Sequence, residues 1–266
     1  MSTATMSTST ATMSTHRAGT GASLSLPTQR CAVAAPSPFT RILLAPGTGL
    51  LRRPVSLARV GLLMTAGALP VLSIPLYVFN LLPISASARF LVLPLAVIVI
   101  AMALHRSVEA RWAVRGFTAG LIAVTAYDAL RMPMVYTKIW PDFIPRLGGW
   151  IIGDVPTNIP VGYAWRYIGD GGGIGMAFFV LCGAVGLWRF PALARRPILL
   201  GIGYGIFVWS GLVATIALSS RGTELLFPLS WQSLGLSLTG HLIYGSVLGI
   251  YLRRALATER RLALAA

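Results

Sequence analysis

Lysine is all but missing from this sequence: among 22 basic residues Lys138 is the only one, and the rest are arginine. A Schiff base to a retinal-type cofactor needs a lysine inside a helix, and Lys138 falls between apolar runs, so that chemistry is excluded. Cysteine is reduced to Cys31 and Cys182. One lies in a polar tail and the other in an apolar run, which leaves neither a disulfide framework nor a thiolate pair for a metal. The three histidines show no HExxH or paired spacing, and His105 and His241 fall toward opposite ends of the apolar segments. Standard zinc and dihaem sites are therefore unsupported, and no cofactor is assigned. Acidic residues number seven. Charged residues of both signs make up 11% of the chain, against about 25% in a soluble domain.

A chain with so little charge cannot cover its surface in water. Hydrophobic residues reach 55% and the mean hydropathy is +0.74, values that suit a bilayer. The net charge of +15 does not mark a nucleic-acid partner. Its arginines cluster at the ends of apolar runs, as the positive-inside rule places them, and not on one exposed face.

Residues 1–56 differ in composition from the rest of the chain. They open with the near-repeat MSTATMSTSTATMST and contain Arg17, Arg30, Arg41, Arg52 and Arg53 but no acidic residue. That composition buries too little apolar surface to order itself, so a disordered tail is expected. It also has the Arg-rich, acid-poor character of an organellar transit peptide. An internal start at Met6 or Met13 is a further reading.

Residues 57–266 form the second unit. Six apolar runs are long enough to cross a hydrocarbon core of about 30 Å: roughly 57–81, 88–104, 114–136, 167–188, 198–218 and 234–252. The fold class predicted is an all-α, polytopic transmembrane bundle of six helices. Placing both termini in the cytoplasm puts Arg106, Arg111, Arg115, Arg189, Arg195, Arg196, Arg253, Arg254, Arg260 and Arg261 on one side. The other side receives Arg89, Lys138, Arg146, Arg166 and Arg221. The long 137–166 connection carries Trp140, Trp150, Tyr163 and Trp165, and its 143–152 stretch is expected in the outer interface. Small residues recur at four-residue spacing, as in Gly171/Gly175, Gly201/Gly205 and Gly245/Gly249, with Gly183 and Gly186 nearby. That spacing predicts close packing among the last three runs.

Ionisable residues inside a bilayer cost about 2.5–3.5 kcal/mol on insertion scales, so they mark candidate sites. The third run contains Tyr127, Asp128 and Arg131, and the last two are three positions apart on one helical face, able to pair. His241 and Tyr244 lie early in the sixth run. By helix rise, Asp128 sits roughly 12 Å and His241 roughly 10 Å below the outer boundary, and Asp170 is expected to open the fourth run on that side. Asp142 and Glu224 lie in loops of the same half. An Asp–His–carboxylate set can bind a cation, relay a proton or hold a cationic solute.

The segments AYDALR and GHLIYGSVLG resemble stretches of polytopic membrane proteins from GC-rich bacteria, which implies a plasma-membrane location and no particular activity. An organellar inner membrane is the alternative if the tail is a transit peptide. The residues suggest three functions. One is binding or transport of a small solute or cation at Asp128, Arg131, Asp170, His241, Tyr127 and Tyr244. The second is an intramembrane enzyme using His241 and Asp128 on a lipid-like substrate. The third is a structural subunit in which those residues only hold the bundle.

Overall fold

The computed structural model describes residues 54–104, 107–153 and 155–265. The tail up to residue 53 lies outside the described residues, as do His105, Arg106 and Asp154. Among the described residues every regular element is helical. Helix α1 spans Pro54–Val78, α2 Ile84–Leu104, α3 Val108–Tyr136 and α4 Ile144–Ile152. They are followed by α5 over Ile159–Val185, α6 over Pro197–Leu218 and α7 over Trp231–Ala265. Five of these, α1, α2, α5, α6 and α7, are long and apolar enough to cross a membrane. Helix α3 has the length, about 43 Å at 1.5 Å per residue, but carries Glu109, Arg111, Arg115, Asp128 and Arg131.

Several helices begin before their apolar runs do, because capping residues rather than hydropathy set their ends. The Ser107 side chain accepts from the Ala110 N–H at 3.1 Å and Glu109 sits in the first turn of α3, both favourable at a helix N-terminus. Asn158 does the same for α5 through Val161 N–H at 3.0 Å. As a result α5 starts eight residues ahead of the expected position at 167. It ends at Gly186, whose φ of +67° is the left-handed cap that glycine adopts freely. Gly186 thus terminates a helix and is not one of the packing glycines. In α2 a π-helical turn, Ala88–Val92, lies directly ahead of Pro94, whose missing N–H leaves the Phe90 carbonyl without its usual partner.

Glycine contacts define the packing and correct the expected arrangement of the last three runs. Gly171 and Gly175 of α5 meet Gly120 and Gly116 of α3, and Gly173 meets Gly67 of α1. Helix α5 is therefore held between α1 and α3. Separately, Gly201 and Gly205 of α6 meet Gly245, Gly249 and the His241 backbone of α7. Numbering rises on one partner as it falls on the other in both seams, so these neighbours are antiparallel. Helix α7 also runs antiparallel along α3, from Gly240 against the Tyr127 ring to Glu259 paired with Arg115 at 2.7 Å. Close backbone approach of this kind is how helices associate where apolar burial gives no net drive.

Gly203, two positions from Gly201, faces away from α7, and a Cβ there would meet nothing within 4 Å. Gly203→Ala is expected to raise stability by about 0.5–1 kcal/mol through helix propensity alone, seen as a higher melting temperature of the purified protein. A lower melting temperature would contradict the assignment of that face.

Two apolar clusters fill the bundle. One joins α3, α5 and α7 around Trp112, Phe179 and Trp188, with the two indoles stacked at 6.0 Å. The other lies at the opposite end, around Ile74, Val78, Ile144, Leu147, Ile216 and Phe227. Helix α4 forms part of that second cluster. Its Leu147 and Trp150 are buried, and Trp150 meets Tyr77 at 4.9 Å between ring centroids. Helix α2 stands apart, with only 11% of its most apolar window buried.

Candidate functional site

The α3 segment Tyr127-Asp128-Ala129-Leu130-Arg131 faces inward, with Tyr127, Asp128 and Arg131 all buried. Asp128 does not turn to His241. Its carboxylate is gripped by Arg166 of α5, with Nε at 3.0 Å from both oxygens and Nη2 at 2.5 Å from Oδ1. Such a two-pronged guanidinium–carboxylate contact is the strong form of a charged hydrogen bond. Arg131 pairs with Asp128 as expected but more loosely, at 3.9 Å. Its closer bond goes to Asp142, whose other oxygen accepts from the Tyr163 hydroxyl at 2.8 Å. Asp142, Arg131, Asp128 and Arg166 form a chain of two positive and two negative groups, neutral as a set.

Hydropathy alone assigns Arg166, Asp142 and Tyr163 to a connection, and the structure brings all three to the bundle's polar chain. A signal for Arg166 is present in the sequence: Asn158 followed by Ile159-Pro160 is a helix start, with a side-chain cap and proline in the first turn. Extending α5 from there carries Arg166 into the bundle. No comparable signal marks Asp142, which lies in an irregular connection.

Asp170 does not open a helix. It lies well inside α5, within a nine-residue π-helical stretch, Trp165–Gly173. The wider π turn is uncommon and recurs at functional sites. Gly169, Gly171, Gly172 and Gly173 surround Asp170 and allow α1 and α3 to approach this wide turn. The Tyr244 hydroxyl of α7 donates to the Gly171 carbonyl at 2.6 Å, tying α7 to the same stretch.

His241 meets Tyr127 edge to face at 5.4 Å between centroids, so α3 and α7 are neighbours at this level. The Arg166 guanidinium covers the same Tyr127 ring at 4.8 Å. His241 Nδ1 lies 2.8 Å from the Ser237 carbonyl. A carbonyl only accepts, so Nδ1 carries the hydrogen and the Nε2 of a neutral ring is an acceptor.

These side chains border one cavity of about 430 Å³, within the range of small-molecule sites. Tyr127, Arg131, Arg166, Asp170, His241 and Tyr244 line it, together with apolar residues of α1 and α6 such as Val71, Leu72, Phe207 and Val208. Asp128 lies behind Arg166 and is not part of the lining. Most polar groups here already have partners. Three lining atoms are buried without a hydrogen-bond partner, the Trp140 Nε1, the Ser237 hydroxyl oxygen and Asp170 Oδ1, and Asp170 is the carboxylate among them. Among the described residues no three His, Cys, Asp or Glu side chains gather closely enough to hold a metal ion.

No family model, curated protein or solved structure matches the chain, so its own geometry is what bears on function.

Proposed function

We propose that the chain is a membrane-embedded binding protein, and by that route a carrier, for a small solute that presents a hydrogen-bond donor, a protonated amine above all. Helix α3 serves as a sixth crossing, made tolerable by the Asp128–Arg166 and Arg131–Asp142 pairs. Both termini lie in the cytoplasm, an orientation supported by the arginines gathered at the end of α5, the start of α6 and the end of α7. A bacterial plasma membrane is the setting, with lipid as the other partner and nucleic acid playing no part.

The observation that carries this reading is the unpartnered Asp170 Oδ1 bordering the cavity. A buried acceptor without a donor is costly, and in a bilayer more so. With the four-member chain satisfied in itself, Asp170 Oδ1 is the carboxylate oxygen still without a donor. His241 Nε2 offers a second acceptor across the same space. Two acceptors and an apolar wall fit an alkylamine: the ammonium donates to both, and the chain packs on α1 and α6. In this arrangement Asp128 and Arg131 hold the helices, while Asp170 and His241 hold the solute.

Titration of the protein in nanodiscs with n-hexylamine tests the proposal calorimetrically. Asp170→Asn is expected to weaken binding by about 30-fold, the loss of one charged hydrogen bond, with the melting temperature little changed. Hexanol, which lacks the charge, should bind far more weakly than hexylamine. Equal binding of hexylamine by both proteins removes Asp170 from the site.

A further inference from the structure

We infer that the solute reaches this cavity sideways, from the bilayer core through a seam between α1 and α6, and that it is accordingly a membrane-partitioned amphiphile, a long-chain primary amine. The inference rests on the amine-binding reading above and adds its route and class.

Both ends of the cavity are closed. At the α4 end, Trp140 and Phe227 are buried across it, and Arg131 is fastened to Asp142, which also takes the Tyr163 hydroxyl. At the opposite end the Tyr204 ring stacks on Phe178 at 4.6 Å, and its hydroxyl donates to the Ile174 carbonyl at 3.2 Å. Below that level α6 and α7 touch backbone to backbone through glycine. Water has no wide path from either face.

The side wall is different. Leu72 of α1 and Phe207 of α6 line the cavity, yet they are 51% and 71% exposed on the outside of the bundle. Gly211, one helical turn along α6 from Phe207, also borders the cavity, and a Cβ added to it would meet nothing within 4 Å. No glycine seam joins α1 to α6, in contrast to α1 with α5 and α6 with α7. The wall here is made of apolar side chains, two of them open to the outside, with free space beside Gly211. In a membrane it faces acyl chains, and an alkyl tail can leave through it while the ammonium stays at Asp170. A molecule dissolved in the bilayer is already at this depth, where water-soluble amines are scarce.

The test uses the full chain in proteoliposomes and a dodecylamine bearing a terminal fluorophore, with association followed by stopped-flow anisotropy. Gly211→Trp, which fills the gap, is expected to slow association at least tenfold. Phe207→Ala, which widens it, should speed association severalfold, and this variant alone decides the matter if Gly211→Trp does not fold. Rates unchanged in both variants but raised by Phe227→Ala would place the path at the α4 end and overturn the inference. Binding of hexylamine without binding of dodecylamine would overturn the lateral route and leave the amine site standing. Binding of neither would remove both.

Discussion

Asp128→Asn is expected to destabilise the bundle rather than to silence it selectively. The wild-type carboxylate takes three hydrogen bonds from Arg166 and stands within 3.9 Å of Arg131. An asparagine keeps the shape but presents an amide where a guanidinium needs an anion. Side-chain exposure is 3% for Asp128, 11% for Arg166 and 2% for Arg131, so solvent cannot compensate. Breaking a buried pair from one side costs about 3–5 kcal/mol, because the other charge is left uncompensated. Set against a total stability of about 5–15 kcal/mol, that is a large share. The melting temperature in detergent should fall by about 10 °C, and the yield of monodisperse protein should fall with it. Pairing the change with Arg166→Gln removes the stranded charge and should recover much of the loss. An Asp128→Asn protein as stable as wild type but unable to bind amines would reverse the division of roles drawn here, making Asp128 the ligand group.

Gly120→Val should be more damaging still. The Cβ of any residue at 120 would overlap the carbonyl oxygen of Gly171, and a neighbouring contact is the backbone of Gly172. Neither is a flexible side-chain end that can swing aside. Helices α3 and α5 would have to separate, and the Asp128–Arg166 pair two turns further along α3 would open with them. Steric overlap plus loss of a buried ion pair puts the effect in the exceptional class, beyond about 4–5 kcal/mol. The expected readout is loss of the monodisperse peak on size-exclusion chromatography. A well-behaved Gly120→Val protein would show that α3 and α5 are not in backbone contact.

The helical class and five of the membrane-length helices are legible as apolar runs, because hydropathy alone fixes them. Their starts are less legible. Hydropathy locates a run at its first stretch of apolar residues, whereas Ser107 and Asn158 set the helix N-termini by side-chain caps. The difference at Asn158 decides whether Arg166 stands in a loop or in the bundle, and so which partner Asp128 takes. The glycine spacing on α5, α6 and α7 is visible, but a one-dimensional pattern names no partner. Gly116 and Gly120 lie in α3, whose charges at either side draw attention away from the surface that α5 actually meets. Asp170, Tyr127, His241 and Tyr244 stand out in the sequence as polar residues in apolar surroundings. That they border one cavity depends on α3 and α7 being neighbours, which lies in the fold alone.

The ion pair between α3 and α5 also has a schedule. Arg166 follows Asp128 by 38 residues in the chain. At about 5–20 residues per second of synthesis, Asp128 exists for ~2–8 s before its partner has been made. During that interval the nascent chain holds α1, α2 and α3, and only α3 lacks an unbroken apolar surface. Helix α2, with a mean hydropathy of 2.3, can enter the bilayer unaided. In the six-crossing arrangement proposed above, helix α3 would wait for α5 with Asp128 lacking its Arg166 partner. In that arrangement the least stable stage of the protein comes before its synthesis is complete, and α3 is the element exposed at that stage.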